Sequence, residues 1–171
     1  QNELGGEKNS FSLSIDLPLS LAINHPRFSQ ECLQSLHEFV GAHRLDPKTI
    51  CLEIDEHWLS QSAALLGDLL TKIRASHYSL CLDHYGRAQS RLHSQSEYSF
   101  DRVKIAASLC AQLTREPKAV TQIRAILAVA QELGQSPMAL LPASQQGALE
   151  NLQAKLQAIA CPLYQEPFTK D

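Results

Sequence analysis

At 171 residues the chain has the length of one domain, with room for a full hydrophobic core. A hydrophobic fraction of 44% and a charged fraction of 19% exclude wholesale disorder, and a net charge of −3 without any Lys/Arg run argues against nucleic acid as a ligand. No apolar run approaches the ~20 residues of a membrane span, and five cysteines without a C-x-x-C pair read as reduced core residues of a cytoplasmic protein.

Along the chain, Gln1–Ser10 is polar, carries Gly5-Gly6 and is expected to be flexible, which leaves residues 11–171 as the folded domain. Phe11–Asp16 alternates and fits an edge strand, joined through Leu17-Pro18 to a strand Leu19–Asn24. A helix is expected over Ser29–His43, with Cys32, Leu33, Leu36, Phe39 and Val40 at helical spacing. The strand Ile50–Ile54 follows, and Ser60 or Ser62 can cap a helix that carries Ala63, Leu66, Leu70 and Ile73. Tyr78–Asp83 reads as a strand, Arg87–Ser99 as a polar loop and Phe100–Ala106 as the next strand. Pro117 opens a helix with Val120, Ile123, Ile126, Leu127, Ala130 and Leu133, stopped by Gly134. Met138–Leu141 is a short strand. Ser144 caps a last helix with Leu149, Leu152, Leu156 and Ile159, and Pro162–Phe168 closes the chain as a strand. Strands and helices alternate at the spacing of βαβ units, so the fold class is α/β with mainly parallel strands.

The strands share a phase. Side chains alternate faces with period two, so Leu19, Leu21 and Ile23 oppose Asn24, and Leu52 and Ile54 oppose Glu53. Leu80 and Leu82 oppose Asp83, and Val103 and Ile105 oppose Lys104. Each strand then has an aliphatic face for covering helices and a face with one polar group. In a parallel sheet Asn24, Glu53, Asp83 and Lys104 converge near the strand carboxyl ends, where α/β barrels and open α/β sheets build their sites.

These segments together resemble the EAL domain of cyclic di-GMP phosphodiesterases, a modified (β/α) barrel. Leu17–Phe28 is similar to the family's strand ending in a metal-binding Asn, and Leu52-Glu53-Ile54-Asp55-Glu56 to its Glu-Leu/Ile-Thr-Glu motif. Leu82-Asp83-His84-Tyr85-Gly86 resembles Asp-Asp-Phe-Gly, and Val103-Lys104-Ile105-Ala106 resembles Leu-Lys-Ile-Asp. The Leu133-Gly134 helix end and Tyr164–Pro167 fit the closing βα units, so the likeness runs from about Leu17 to Phe168.

What the resemblance implies is qualified by its departures. The family's enzymes hold two divalent cations that activate a water for attack on a phosphodiester. Asn24, Glu53 and Asp83 match three ligands of the first cation. No segment before Phe11 matches the signature Glu-Ala-Leu, His84 stands for the second Asp of Asp-Asp-Phe-Gly, and Glu-Gly-Val-Glu falls on Leu140–Ala143. The loop after Gly86 has a different sequence, and Glu166 stands where a basic residue is implied.

The expectation is therefore an incomplete EAL-like barrel without catalysis, in bacterial cyclic di-GMP-related signalling. Asn24, Glu53, Asp83, His84 and Lys104 form a vestigial polar cluster neutralised by Lys104. No cofactor is expected; if a metal binds, it is a weakly held Mg²⁺ on Asn24, Glu53 and Asp83. The open edge near Phe11–Asn24 calls for cover by another protein, an upstream domain or a second copy. A second reading is a receptor that binds cyclic di-GMP without hydrolysis through Lys104, Pro167 and Phe168. An active metal-dependent phosphodiesterase is third.

Overall fold

A computed structural model of the chain describes residues 13–17, 26–60, 63–87, 98–140, 149–161 and 163–164. Six strands form one sheet: β1 (Leu13–Asp16), β2 (Ile50–Asp55), β3 (Ser79–Tyr85), β4 (Arg102–Ile105), β5 (Ser136–Leu140) and β6 (Leu163–Tyr164). They lie in sequence order and every neighbouring pair is parallel. An order that never reverses is that of a barrel rather than of a doubly wound sheet. Among the described residues it stays open, with β1 and β6 at its edges.

The helices are α1 (Pro26–Ala42), α2 (Ala63–Ala75), α3 (Ala107–Gln112), α4 (Pro117–Glu132) and α5 (Leu149–Ala158). Leu52, Ile54, Leu80, Leu82, Val103 and Ile105, on one face of β2–β4, are buried together with Leu66, Leu70, Ile73, Ile123 and Ile126 of α2 and α4. This is the aliphatic layer the alternation predicts. The other face is buried too: Cys51, Glu53, Cys81, Asp83 and Lys104 are all nearly inaccessible. In a barrel-like sheet this is the face turned to the interior.

Helix ends follow local chemistry. Pro117 sits in the first turn of α4, where no amide hydrogen is needed. At its other end Gly134 takes φ 67°, and the amide of Gln135 donates to the carbonyl of Ala130 at 2.8 Å. That six-residue closure is why the helix stops there. Helix α3 was not expected from sequence. It has six residues, and its small side chains give no long periodic signal, yet it buries Leu109 and Cys110. The strand expected to end at Asp83 continues to Tyr85 through an irregular register against β4, and His84 within it adopts φ 54°. The expected strand Leu19–Asn24 lies outside the described residues.

Candidate functional site

Three carboxylates meet at the carboxyl end of the sheet. Asp16 ends β1 and is in register with Glu53 of β2, while Asp83 lies near the end of β3, one strand further. One oxygen from each of Asp16, Glu53 and Asp83 falls within 4.8 Å of the others. Parallel pairing brings them together, because residues in register on neighbouring parallel strands point to the same face.

Lys104 enters the same space from β4. Its ammonium is 2.6 Å from both Oε1 and Oε2 of Glu53, and both side chains are buried. Burial alone would lower the lysine pKa. The hydrogen bond and charge of Glu53 outweigh it and hold the ammonium above its ordinary value. Asp16 is the exposed member, and partial burial together with the charges of Glu53 and Asp83 raises its carboxyl.

The third carboxylate is held by its own successor. Burial would raise Asp83, but hydrogen bonds from His84 win and lower it. The His84 amide donates to Oδ1 at 2.7 Å, and ring Nδ1 lies 2.8 Å from Oδ2. The left-handed turn at His84 brings the ring back onto Asp83, a conformation that His adopts more readily than most residues. The hydrogen bond to Asp83 in turn raises the imidazole pKa. Nδ1 also lies 3.4 Å from Asp55, which takes Arg87 at 3.6 Å. Beyond the turn, Gly86 at φ 90° donates its amide to Glu56 at 3.0 Å.

The neighbouring strand ends are apolar. Ala106, directly after β4, and Leu140, the last residue of β5, are both buried. The donor chemistry of Asp16, Glu53 and Asp83 thus fits one hard cation such as Mg²⁺, which is commonly held by one or two carboxylates and retained waters. A cation held there would share Glu53 with Lys104. Ala106 and Leu140 contribute no side-chain oxygen to a second position.

The sequence profile of the EAL domain matches residues 3–148. The chain belongs to the EAL domain family. The cyclic di-GMP phosphodiesterase RocR of Pseudomonas aeruginosa is 29% identical over 122 residues, covering 68% of this chain and 31% of that protein. The cyclic di-GMP phosphodiesterase PA2567 of the same organism is 26% identical over 122 residues, covering 70% of this chain and 21% of that protein. This EAL domain thus spans less than a third of the length of either relative. Among solved structures, the Klebsiella pneumoniae BlrP1 calcium/cy-diGMP complex aligns with a TM-score of 0.77 at 20% identity, over 95% of this chain and 39% of that chain. The PaMucR phosphodiesterase in complex with c-di-GMP gives 0.72 at 20%, over 89% and 58%. At these identities the likeness establishes the fold, an EAL-type α/β barrel whose sheet is open among the described residues.

In this EAL domain Glu53, Asp83 and Lys104 come together, and the left-handed turn at His84 brings its ring onto Asp83, where period-two alternation alone would direct it to the other face. Asn24, Pro167 and Phe168 lie outside the described residues. The residue the sequence reading missed is Asp16. Ile15-Asp16-Leu17 has the same apolar–acid–apolar order as Leu52-Glu53-Ile54, and that order is the local signal that marks it. No helix among the described residues is long and apolar enough to cross a membrane.

Proposed function

We propose that this EAL domain is a non-catalytic, regulatory module of cyclic di-GMP-related signalling that works by binding another protein. The observation that carries the reading is the apolar end of β4 and β5. Ala106 replaces the acid of the Leu-Lys-Ile-Asp pattern, and Leu140 replaces the first Glu of Glu-Gly-Val-Glu, and both are buried. Hydrolysis by a metal pair requires both ions to polarise the phosphoryl oxygens and generate the attacking hydroxide. The surviving oxygens of Asp16, Glu53 and Asp83 suit one ion, and His84 is turned onto Asp83 and Asp55. The aliphatic strand layer and the helices remain, and they supply a stable surface on which recognition can be built.

The similarity to RocR and BlrP1 defines the test. The protein is incubated with cyclic di-GMP and Mg²⁺ or Mn²⁺, and the mixture is chromatographed for the linear dinucleotide. No product above the protein-free control is expected. Steady turnover that disappears in Asp83→Ala overturns the reading. Calorimetry with cyclic di-GMP separates the receptor alternative, which requires tight binding without turnover.

A further inference from the structure

We propose that Cys51 and Cys81 form a two-coordinate site for a soft monovalent cation, Cu⁺, inside the sheet on the amino-terminal side of the carboxylates. The site is separate from the hard-cation position on Asp16, Glu53 and Asp83, and it stands whether or not cyclic di-GMP is hydrolysed.

Position comes first. Cys51 is two residues before Glu53 on β2, and Cys81 is two residues before Asp83 on β3, so both thiols share the face of the carboxylates. Cys51 is in register with Ser79 and Cys81 with Glu53, which makes the cysteines diagonal neighbours on adjacent strands. Both are buried, and their thiols hydrogen-bond to each other. Ser79, level with Cys51, is only partly buried, so the pair sits close to solvent at the amino-terminal end of the strands.

Spacing favours a bound ion over a disulfide. Strands about 4.8 Å apart with a rise of about 3.3 Å per residue put diagonal Cα atoms roughly 8 Å apart. A disulfide spans only about 4.4–6.8 Å between Cα atoms, so forming one would require the strands to slide. Two sulfurs on one ion stand up to about 4.6 Å apart when each metal–sulfur bond is about 2.3 Å. Thiols in hydrogen-bonding contact already stand in that range.

Ligand number and charge select the ion. Among the described residues, the one group of three or more His, Cys, Asp and Glu side chains close enough to share an ion is Asp16, Glu53 and Asp83, so no third such ligand joins the thiols. Structural Zn²⁺ takes four ligands, whereas thiolates select Cu⁺, which accepts two in a line. Binding releases both thiol protons, oxidises nothing and leaves a dithiolate–Cu⁺ unit with one net negative charge. Arg102 of β4 is in register with Cys81, and its charge and that of Lys104 act on Cys51, so positive charge stands where that unit forms.

The test gives the whole reduced chain one equivalent of Cu⁺ under nitrogen and titrates it with bathocuproine disulfonate, a chromophoric Cu⁺ chelator. One Cu⁺ per chain is expected to be held, with X-ray absorption showing two sulfur neighbours and no oxygen or nitrogen. Cys51→Ser and Cys81→Ser are each expected to weaken binding by about 100-fold or more, beyond the roughly 10–100-fold that follows loss of a group merely supporting a ligand. Cys32→Ser, Cys110→Ala and excess Mg²⁺ are expected to leave it unchanged, and circular dichroism of the metal-free variants checks their folding. The absorption spectrum and the Mg²⁺ challenge use the parent chain, so they decide even where a variant fails to fold. No Cu⁺ held against the chelator, oxygen neighbours, displacement by Mg²⁺, retention in both serine variants or loss in Cys110→Ala each overturns the proposal. A Cys51–Cys81 disulfide formed with diamide in a chain that holds no Cu⁺, read by mass spectrometry, assigns the pair to redox chemistry and overturns it too.

Discussion

The ammonium of Lys104 on β4 reaches across β3 to within 2.6 Å of each carboxylate oxygen of Glu53 on β2. Both side chains are buried, so each charge depends on the other for its solvation. Lys104→Met is expected to cost about 3–5 kcal/mol, the range for leaving a buried charge without its partner. Glu53→Gln should cost a similar amount. The double variant is expected to cost far less than the two together, and urea denaturation of all four proteins measures the difference. Additive losses would show that the two charges are solvated independently.

The Asp83–His84 contact makes stability depend on pH in both directions. Asp83 is held below its ordinary 3.8, so its contribution is present above that value and is lost as pH falls through the lowered one. His84 is held above its ordinary 6.5, so its contribution is complete below 6.5 and is lost as pH rises through the raised value. Melting temperature in EDTA is thus expected to be best supported by this pair between about pH 4 and 6.5. His84→Asn tolerates the left-handed backbone but cannot titrate. It should remove the decline on the alkaline side of that window, and a decline identical to the parent's would rule the contact out as its source.

Gly86 is fixed by both conformation and space. At φ 90° a side chain is strained, and a Cβ built there meets Leu109 Cδ2 of α3 at 2.6 Å. Gly86→Ala is expected to destabilise by about 1–3 kcal/mol. A Leu109→Ala background should relieve the steric part and leave the backbone part, which thermal unfolding of the single and double variants separates.

At the opposite end of the sheet, Arg74 donates to both oxygens of Asp101 at 2.9 Å, and Asp101 accepts the Leu80 amide at 2.7 Å. The two contacts differ in worth. The arginine pair is more than one-third exposed and screened by solvent, so Arg74→Met should cost less than about 1 kcal/mol. Asp101→Ala also strips the acceptor from an amide on a buried residue and should cost about 1–3 kcal/mol. Chemical denaturation ranks the two, and the reverse order would assign the stabilisation to the ion pair.

The sequence by itself determined the class of fold and the direction of most site residues. Period-two alternation in Ile50–Ile54, Tyr78–Asp83 and Val103–Ile105 is a local property, because it depends only on which residues a strand can bury on each face. It placed Glu53, Asp83 and Lys104 on one side of the sheet before any pairing was known. Pairing was beyond it. Phe11–Asp16 and Leu19–Asn24 each ended in an oxygen-bearing side chain, and nothing local distinguishes an edge strand from its neighbour. The register of Leu13–Asp16 against Ile50–Glu53 brought Asp16 to the carboxylates. Likewise, Lys104 on Glu53 joins strands 51 residues apart in the chain, and the turn of His84 onto Asp83 falls where the register against β4 shifts. Such contacts depend on how the sheet curls and where each register falls, quantities set by the packing of the whole domain and absent from any single segment.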